Sequence, residues 1–367
     1  MNTVLVTGAS GFIGRFLIHA LLSKGDRVYA LLRRPEQQYP ELQAWLHQHG
    51  IDDHGLLQPI HGDLSQPDLA ISAADWQAMH RVTVIYHSGA VMAWGMTAEH
   101  ARLTNVTGST QLLRLAHQHL HLERFVQLSG FMLTIAAHLR SLGISPDGTA
   151  DWPEVYRQVG AYEASKFESH YAVKQLAQQL AIPLTVIHPS LVIGHSHSGE
   201  ISTTQDFAKT IANLLRRKLP FAPKGSLPMI AVDELTAFMA RVVDVPESAG
   251  MEYVMANRET LPLIEALSVC AQTAGVPAPY GTLPVGFFKA LGRSRWLARL
   301  LDIEPETLNF IRHESLDTTA SHAMQQRLGL AESPLTDTLA RTTRYLHMHQ
   351  FSPVAAGAEV AVLPQVS

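Results

Sequence analysis

Three features of this chain predict an α/β fold built on a doubly wound parallel sheet. A short apolar run, Val4, Leu5 and Val6, is followed by glycines at 8, 11 and 14 and then by the helical apolar pattern Phe12, Ile13, Phe16, Leu17, Leu21, Leu22. Strand-like and helix-like segments then alternate as far as residue 195. With 367 residues and 46% hydrophobic content, the chain can bury a full sheet and a smaller second lobe.

Each glycine of the first loop has its own physical reason. Gly8 permits the sharp turn out of the strand, and Gly11 lets backbone approach a pyrophosphate with no Cβ in the way. Gly14 allows close packing of helix on sheet, while the helix N-terminus offers free N–H groups and positive dipole to phosphate. The loop therefore reads as a dinucleotide (Rossmann) site, with Gly8, Ser10, Gly11, Phe12, Ile13 and Gly14 at the cofactor.

The second strand, Arg27–Leu32, runs into Arg33 and Arg34. An acidic residue at this strand end holds a ribose 2′-hydroxyl, whereas arginine accommodates a 2′-phosphate, so the pair favours NADP(H). A third strand, Gln58–Gly62, leads to Asp63 and Leu64; that edge lies beside the adenine in this fold, so Asp63 is a candidate acceptor for its amino group. After a helix at 75–80 and a strand Val82–His87, the small-residue turn Ser88, Gly89, Ala90 leaves room for a closely approaching cofactor. A helix at 98–121 carrying Asn105 and a strand Arg124–Ser129 come next.

Tyr162 and Lys166 follow, inside a helix of about 160–181. Four residues apart, they share one helix face. The ammonium is expected to lower the phenol pKa toward neutrality, making Tyr162 a proton donor or acceptor, and Lys166 can also hold a nicotinamide ribose. Strand Leu184–His188 then ends at Pro189 and Ser190.

Composition excludes several other classes. A net charge of −4 and a pI near 6.6 do not suit a nucleic-acid binder. No apolar run reaches the ~18–20 residues of a membrane span. Residues 1–20 already form strand, loop and helix, so no signal peptide is expected there. The single cysteine, Cys270, excludes an intrachain disulfide and fits a reducing, cytoplasmic setting. Twenty histidines include the groups His117/His119/His121, His195/His197 and His347/His349, but no Cys or carboxylate cluster completes a metal set in the sequence, so no metal site is expected.

The pattern Thr7-Gly8 to Gly14 followed by Tyr162 and Lys166 resembles the short-chain dehydrogenase/reductase superfamily in its extended form. Within it, segments 62–72, 84–90, 105–109 and 188–194 look like the thioester-reductase or male-sterility branch. The likeness is good over residues 1–195 and fainter over 230–257. It implies NADPH-dependent reduction of acyl groups carried on coenzyme A or on a carrier protein, in secondary-metabolite or lipid assembly. By it, Asp63 and Leu64 line the adenine, Ala90 and Asn105 the inner cofactor wall, and Pro189 the nicotinamide end. The extended superfamily also contains nucleotide-sugar epimerases, dehydratases and sterol-type hydroxyl dehydrogenases, and a non-catalytic NADP-binding regulator is a further alternative.

One departure bears on the chemistry. The resemblance implies a second hydroxyl after Ser129, and position 130 is glycine. Three substitutes stand open: Ser129 itself, Thr134 or a water, and altered chemistry.

The second half is expected to form the substrate lobe. Residues 1–200 read as the cofactor domain, 229–257 as a return to its sheet, 201–350 mainly as the lobe, and 351–367 as a disordered tail. A helix Asp206–Lys218 precedes a loop with Pro220, Pro223, Gly225 and Pro228, and residues 259–350 should be largely helical. The stretch Phe287–Leu301 mixes seven apolar residues with Lys289, Arg293, Arg295 and Arg299. A buried helix face, an acyl pocket with a basic rim and a membrane-surface helix are its three readings. An acidic acyl carrier protein is a candidate partner for such a rim, alongside a small-molecule acyl substrate, and self-association stays open.

Overall fold

The computed structural model describes residues 1–93, 95–292, 305–311 and 316–350. The main sheet is built from β1 (Thr3–Thr7), β2 (Arg27–Leu32), β3 (Leu57–His61), β4 (Val84–His87), β5 (Arg124–Leu128) and β6 (Leu184–Pro189). Two short strands follow, β7 (Leu191–Ile193) and β8 (Phe221–Pro223), and then β9 (Met229–Ala231), β10 (Glu252–Met255) and β11 (Gly281–Leu283). The seven-stranded sheet has the order β10-β6-β5-β4-β1-β2-β3 and every pairing in it is parallel. Its central strands are buried on both faces; β1 carries the unbroken apolar run Val4, Leu5, Val6, while β5 and β6 also bury Arg124, Gln127, Thr185 and His188.

Chain order reverses between β1 and β4. Loops at the carboxyl ends of the strands part there and leave a crevice, and the glycine loop after β1 sits at that point. Helix Phe12–Ser23 buries Phe16, Leu17, Ile18 and Leu21 and packs on helix Val232–Val242. On the opposite face Leu5, Ile85 and Phe125 meet Leu112, Leu113, Val173 and Leu176.

Residues 229–257 divide. Glu252–Met255 joins the main sheet as its edge strand beside β6. Met229–Ala231 does not: it pairs with β7 in a separate two-stranded sheet, because the chain turns off the main sheet after Ser190, whose N–H is held by the Met255 carbonyl. The helix expected at Asp206–Lys218 stops at Leu215, and Arg217 takes a left-handed φ of 58° just beyond it. The helix expected at 98–121 is three pieces: Ala98–Ala101, a π-helical turn Arg102–Thr107, and Gly108–His119.

The C-terminal region supplies helices Asp206–Leu215, Leu263–Ala274, Val285–Gly292, Thr319–Arg327 and Leu335–Gln350, with β8 and β11 paired beside them. One apolar cluster runs from Val4, Val28 and Phe16 through Ile193 and Phe207 to Leu267, Leu335, Leu339 and Leu346. Sheet and C-terminal helices thus share a core. Of the basic, apolar stretch expected at 287–301, residues 293–301 lie outside the described part, as does the tail from 351.

Candidate active site

The glycine loop is built around close backbone contact. Gly8 has φ +69°, and a Cβ there would come within 2.9 Å of the Gly89 and Ser88 backbone. A Cβ on Gly14 would collide with the Gly8 carbonyl. The Gly11 N–H donates to that same carbonyl at 2.9 Å and closes the turn. Gly11 caps helix Phe12–Ser23 without a side-chain partner, so the first-turn N–H groups face outward, available to phosphate. Ser10 and Gly11 are exposed, Ile13 is half-buried, and Phe12 is buried under the loop.

Arg33 and Arg34 are both exposed, and among the described residues neither guanidinium has a hydrogen-bond or ion-pair partner. A residue not anticipated from the sequence fixes their position. Gln38 donates from Nε2 to Ser10 Oγ at 2.9 Å and accepts the Arg34 N–H at 2.9 Å, so it bridges the glycine loop to the arginine turn. Asp63 accepts from the Ser65 N–H and hydroxyl through Oδ1, and Leu64 lies against Gly89.

Beneath the turn at 88–91 lies a buried polar chain, also not anticipated. Thr7 and His87 are register partners on β1 and β4. The Gly89 N–H donates to Thr7 Oγ1 (3.0 Å), the Thr7 hydroxyl to His87 Nδ1 (2.8 Å), His87 Nε2–H to Ser109 Oγ (2.7 Å), and Ser109 to the Asn105 carbonyl. Burial pushes His87 down to about 3, so it stays neutral and keeps one donor and one acceptor nitrogen, as this chain requires. Ser88 Oγ donates to the Thr7 carbonyl at 2.7 Å. Two polar residues closing otherwise apolar strands were the available signal.

Asn105 sits in the π-helical turn, fully enclosed. Its Oδ1 accepts the Val91 N–H, and its Nδ2 donates to the Val91 carbonyl and to Ser165 Oγ at 3.1 and 2.9 Å. The turn at 88–91, with Ala90 exposed at its tip, is thereby tied to the helix that carries Tyr162 and Lys166.

On that helix, Ala161–Gln179, Lys166 Nζ donates to the Leu128 carbonyl at the end of β5, 2.8 Å away. This places the lysine beside Ser129. Burial lowers Lys166 to about 8. Tyr162 runs opposite to expectation: burial, then Asp206 and Glu163, push its phenol up to about 12.

Ser129 is buried, and its Oγ has no hydrogen-bond partner among the described residues. Gly130 is extended, with φ −160°, and a Cβ on it would meet nothing within 4 Å. Thr134 Oγ1 is already used by the Phe131 carbonyl of its own turn. Pro189 is buried at the end of β6, opposite Met255.

Next to this set, His188 Nδ1 donates to the Gly130 carbonyl at 3.1 Å while its Nε2 meets Glu252 Oε2 at 2.8 Å. Burial opposes ionisation of Glu252, but hydrogen bonds from His188 and Lys174 hold its carboxyl well below the usual range.

A family model described as male sterility protein matches residues 6–239. This chain belongs to the male sterility protein family. The glycine loop, the turn at 88–91 and the helix of Tyr162 and Lys166 all fall inside the matched span. Among curated relatives, the L-2-aminoadipate reductase large subunit of Penicillium chrysogenum is 24% identical over 271 residues, covering 68% of this chain. The chain spans 19% of the length of that relative. The terminal R domain from the myxalamid PKS-NRPS biosynthetic pathway superposes with TM-score 0.77 at 23% identity, covering 96% of this chain and 92% of the domain. Yeast methylglyoxal/isovaleraldehyde reductase Gre2, solved with NADPH, gives TM-score 0.71 at 17% identity, covering 95% and 99%. Among the described residues no helix is long and apolar enough to cross a membrane.

Proposed function

We propose that this member of the male sterility family uses NADPH to reduce the carbonyl or thioester of an acyl group carried on a phosphopantetheine thiol, of coenzyme A or of a carrier protein. The observation that carries the reading is the contact between Lys166 and the Leu128 carbonyl. It brings the Tyr162/Lys166 helix to the end of β5, where Ser129 leaves a hydroxyl without a partner. The likeness to an R domain of an assembly line supports the carrier-bound substrate.

The residues fit the cofactor. Gly8, Gly11, Gly14 and Gly89 give the pyrophosphate backbone to lie on, and the first turn after Gly11 offers N–H groups. Arg33 and Arg34 are free to pair with a 2′-phosphate, with Asp63 and Leu64 at the adenine. Ala90, exposed at the tip of the 88–91 turn, would face the cofactor, with Asn105 enclosed behind it holding that turn, and Lys166 would hold the ribose. NADPH, when bound, supplies the hydride. Tyr162, protonated through the neutral range because its phenol lies near 12, gives a proton to the substrate oxygen. Ser129 is the second donor toward that oxygen: of the three substitutes for a hydroxyl at 130, Thr134 is committed to Phe131, and Ser129 alone is both buried and unpartnered.

Turnover of a carrier-bound acyl thioester is compared with that of the corresponding free acid and a simple ketone, with NADPH and with NADH. A preference for the carrier-bound substrate and for NADPH is the expected result. Equal rates on all three substrates remove the carrier reading, and equal use of NADH removes the assignment of Arg33 and Arg34.

A further inference from the structure

We propose that His170, His188 and Glu252 form a binding site for one divalent metal ion of the zinc class, one helical turn beyond Lys166. The fold brings them together from three elements. Glu252 of β10 is the register partner of Val186 in β6, and His188, two residues on, projects to the same face of the sheet. His170 descends onto that face from helix Ala161–Gln179. One ligand atom from each lies within 4.8 Å of the other two. His188 Nε2 is 2.8 Å and His170 Nε2 3.9 Å from Glu252 Oε2. Tetrahedral coordination at ~2.0–2.2 Å separates ligand atoms by about 3.3 Å, so adjustments on the order of 1 Å complete the set.

Hydrogen-bond valence argues for a cation here. His188 Nδ1 faces a carbonyl oxygen, which only accepts, and must carry a proton. Its Nε2 faces a carboxylate oxygen, so a positive species has to lie between them, a proton or a metal ion. A proton leaves a second anomaly unexplained. His170 is buried, makes no hydrogen bond through either nitrogen among the described residues, and its Nδ1 is sealed from solvent. A metal ion replaces the shared proton and gives His170 Nε2 a partner, while Nδ1 stays without one.

The surroundings are those of a zinc ligand set. A ligating histidine commonly donates its other N–H to a backbone carbonyl, as His188 does to Gly130. Two imidazoles and a carboxylate favour zinc over magnesium or calcium. Glu252 is partly exposed, which leaves an open side for water. One group opposes the metal: Lys174 Nζ lies 2.6 Å from Glu252 Oε1. The ion would bind the helix of Tyr162 and Lys166 to β6 and β10 and fix the Gly130 peptide, a positioning role.

The test uses the full chain dialysed against a chelator and titrated with Zn²⁺ by calorimetry and with Co²⁺ by visible absorption. One equivalent, micromolar or tighter, with the intense bands of four-coordinate Co²⁺, is expected. His170→Gln should weaken binding at least ~10-fold. Lys174→Ala, at an exposed position, should tighten it several-fold by removing a competing cation, an effect that a merely structural ion pair does not predict. His117→Gln, on the surface, should leave it unchanged. Absence of stoichiometric binding overturns the proposal. So does binding that survives His170→Gln, or a Lys174→Ala variant that binds no more tightly than the parent.

Discussion

Ser129 and Gly130 lie at the centre of the residue-scale argument. Loss of one oxyanion donor costs ~2.7–4 kcal/mol of transition-state stabilisation, so Ser129→Ala should lower turnover ~100-fold or more. Gly130→Thr should fold, because its Cβ enters open space, and should gain little if Ser129 already donates. A large gain from Gly130→Thr together with no loss from Ser129→Ala would reverse the assignment. The pH profile tests Lys166. Its ammonium is present below about 8 and is lost above it, while Tyr162 keeps its proton to about 12. Reductive turnover should therefore be flat through neutrality and decline as pH rises through about 8, and a decline beginning near 10 would contradict the buried-lysine reading. Doubling the variant, Arg33→Ala with Arg34→Ala, should raise the NADPH KM at least 10-fold and leave the NADH KM little changed. These positions were legible because glycine spacing, an arginine pair and a Tyr/Lys step leave marks in a linear sequence. Gln38 and His188 left none, since their roles depend on which strands and helices become neighbours.

Elements fix how these side chains are presented. The π-helical turn Arg102–Thr107 swings Asn105 under the 88–91 turn, where it makes three hydrogen bonds to Val91 and Ser165. Asn105→Ala leaves buried backbone groups unpaired and should cost about 2–3 kcal/mol in urea unfolding while weakening NADPH binding. An unchanged midpoint would show that the turn holds itself. Helical periodicity alone predicted an unbroken helix at 98–121, because a π turn inserts one residue without changing the apolar pattern enough to be seen. Helix Val232–Val242 adds a pH-dependent element. Burial, with Asp233 and Glu332 nearby, raises Glu234 to about 7 against the hydrogen bond from the Ser333 N–H. The native state therefore holds a proton that the unfolded chain gives up near 4.5, so stability falls as pH rises between about 4.5 and 7. Glu234→Gln keeps the acceptor for Ser333 and should flatten that slope. A thermal melt series that slopes equally in both proteins would rule this out.

The whole molecule is organised by its shared core. Alternation of strands and helices made the parallel sheet readable to residue 195, and after that the chain loses the pattern. Strands β7 and β9 are three residues each, too short to carry a period, and their partnership is set by tertiary contact alone. Leu339 is fully buried in the cluster that also holds Ile193, Phe207 and Leu267. Leu339→Ala should cost ~2–5 kcal/mol and shift a single unfolding transition, and a separate early transition for the C-terminal helices would show that the core is not continuous. The backbone agrees at close range, since a Cβ on Gly194 or Gly199 would strike Thr342 or the Arg341 carbonyl. A shared interior of this kind has a practical meaning for anyone wishing to transplant the protein. Residues 1–200 cannot be excised and grafted elsewhere, because the cut strips helix Phe12–Ser23 of helix Val232–Val242 and β7 of β9, and leaves an apolar wall in water. The smallest piece that keeps this interior covered runs through helix Leu335–Gln350, carried over entire.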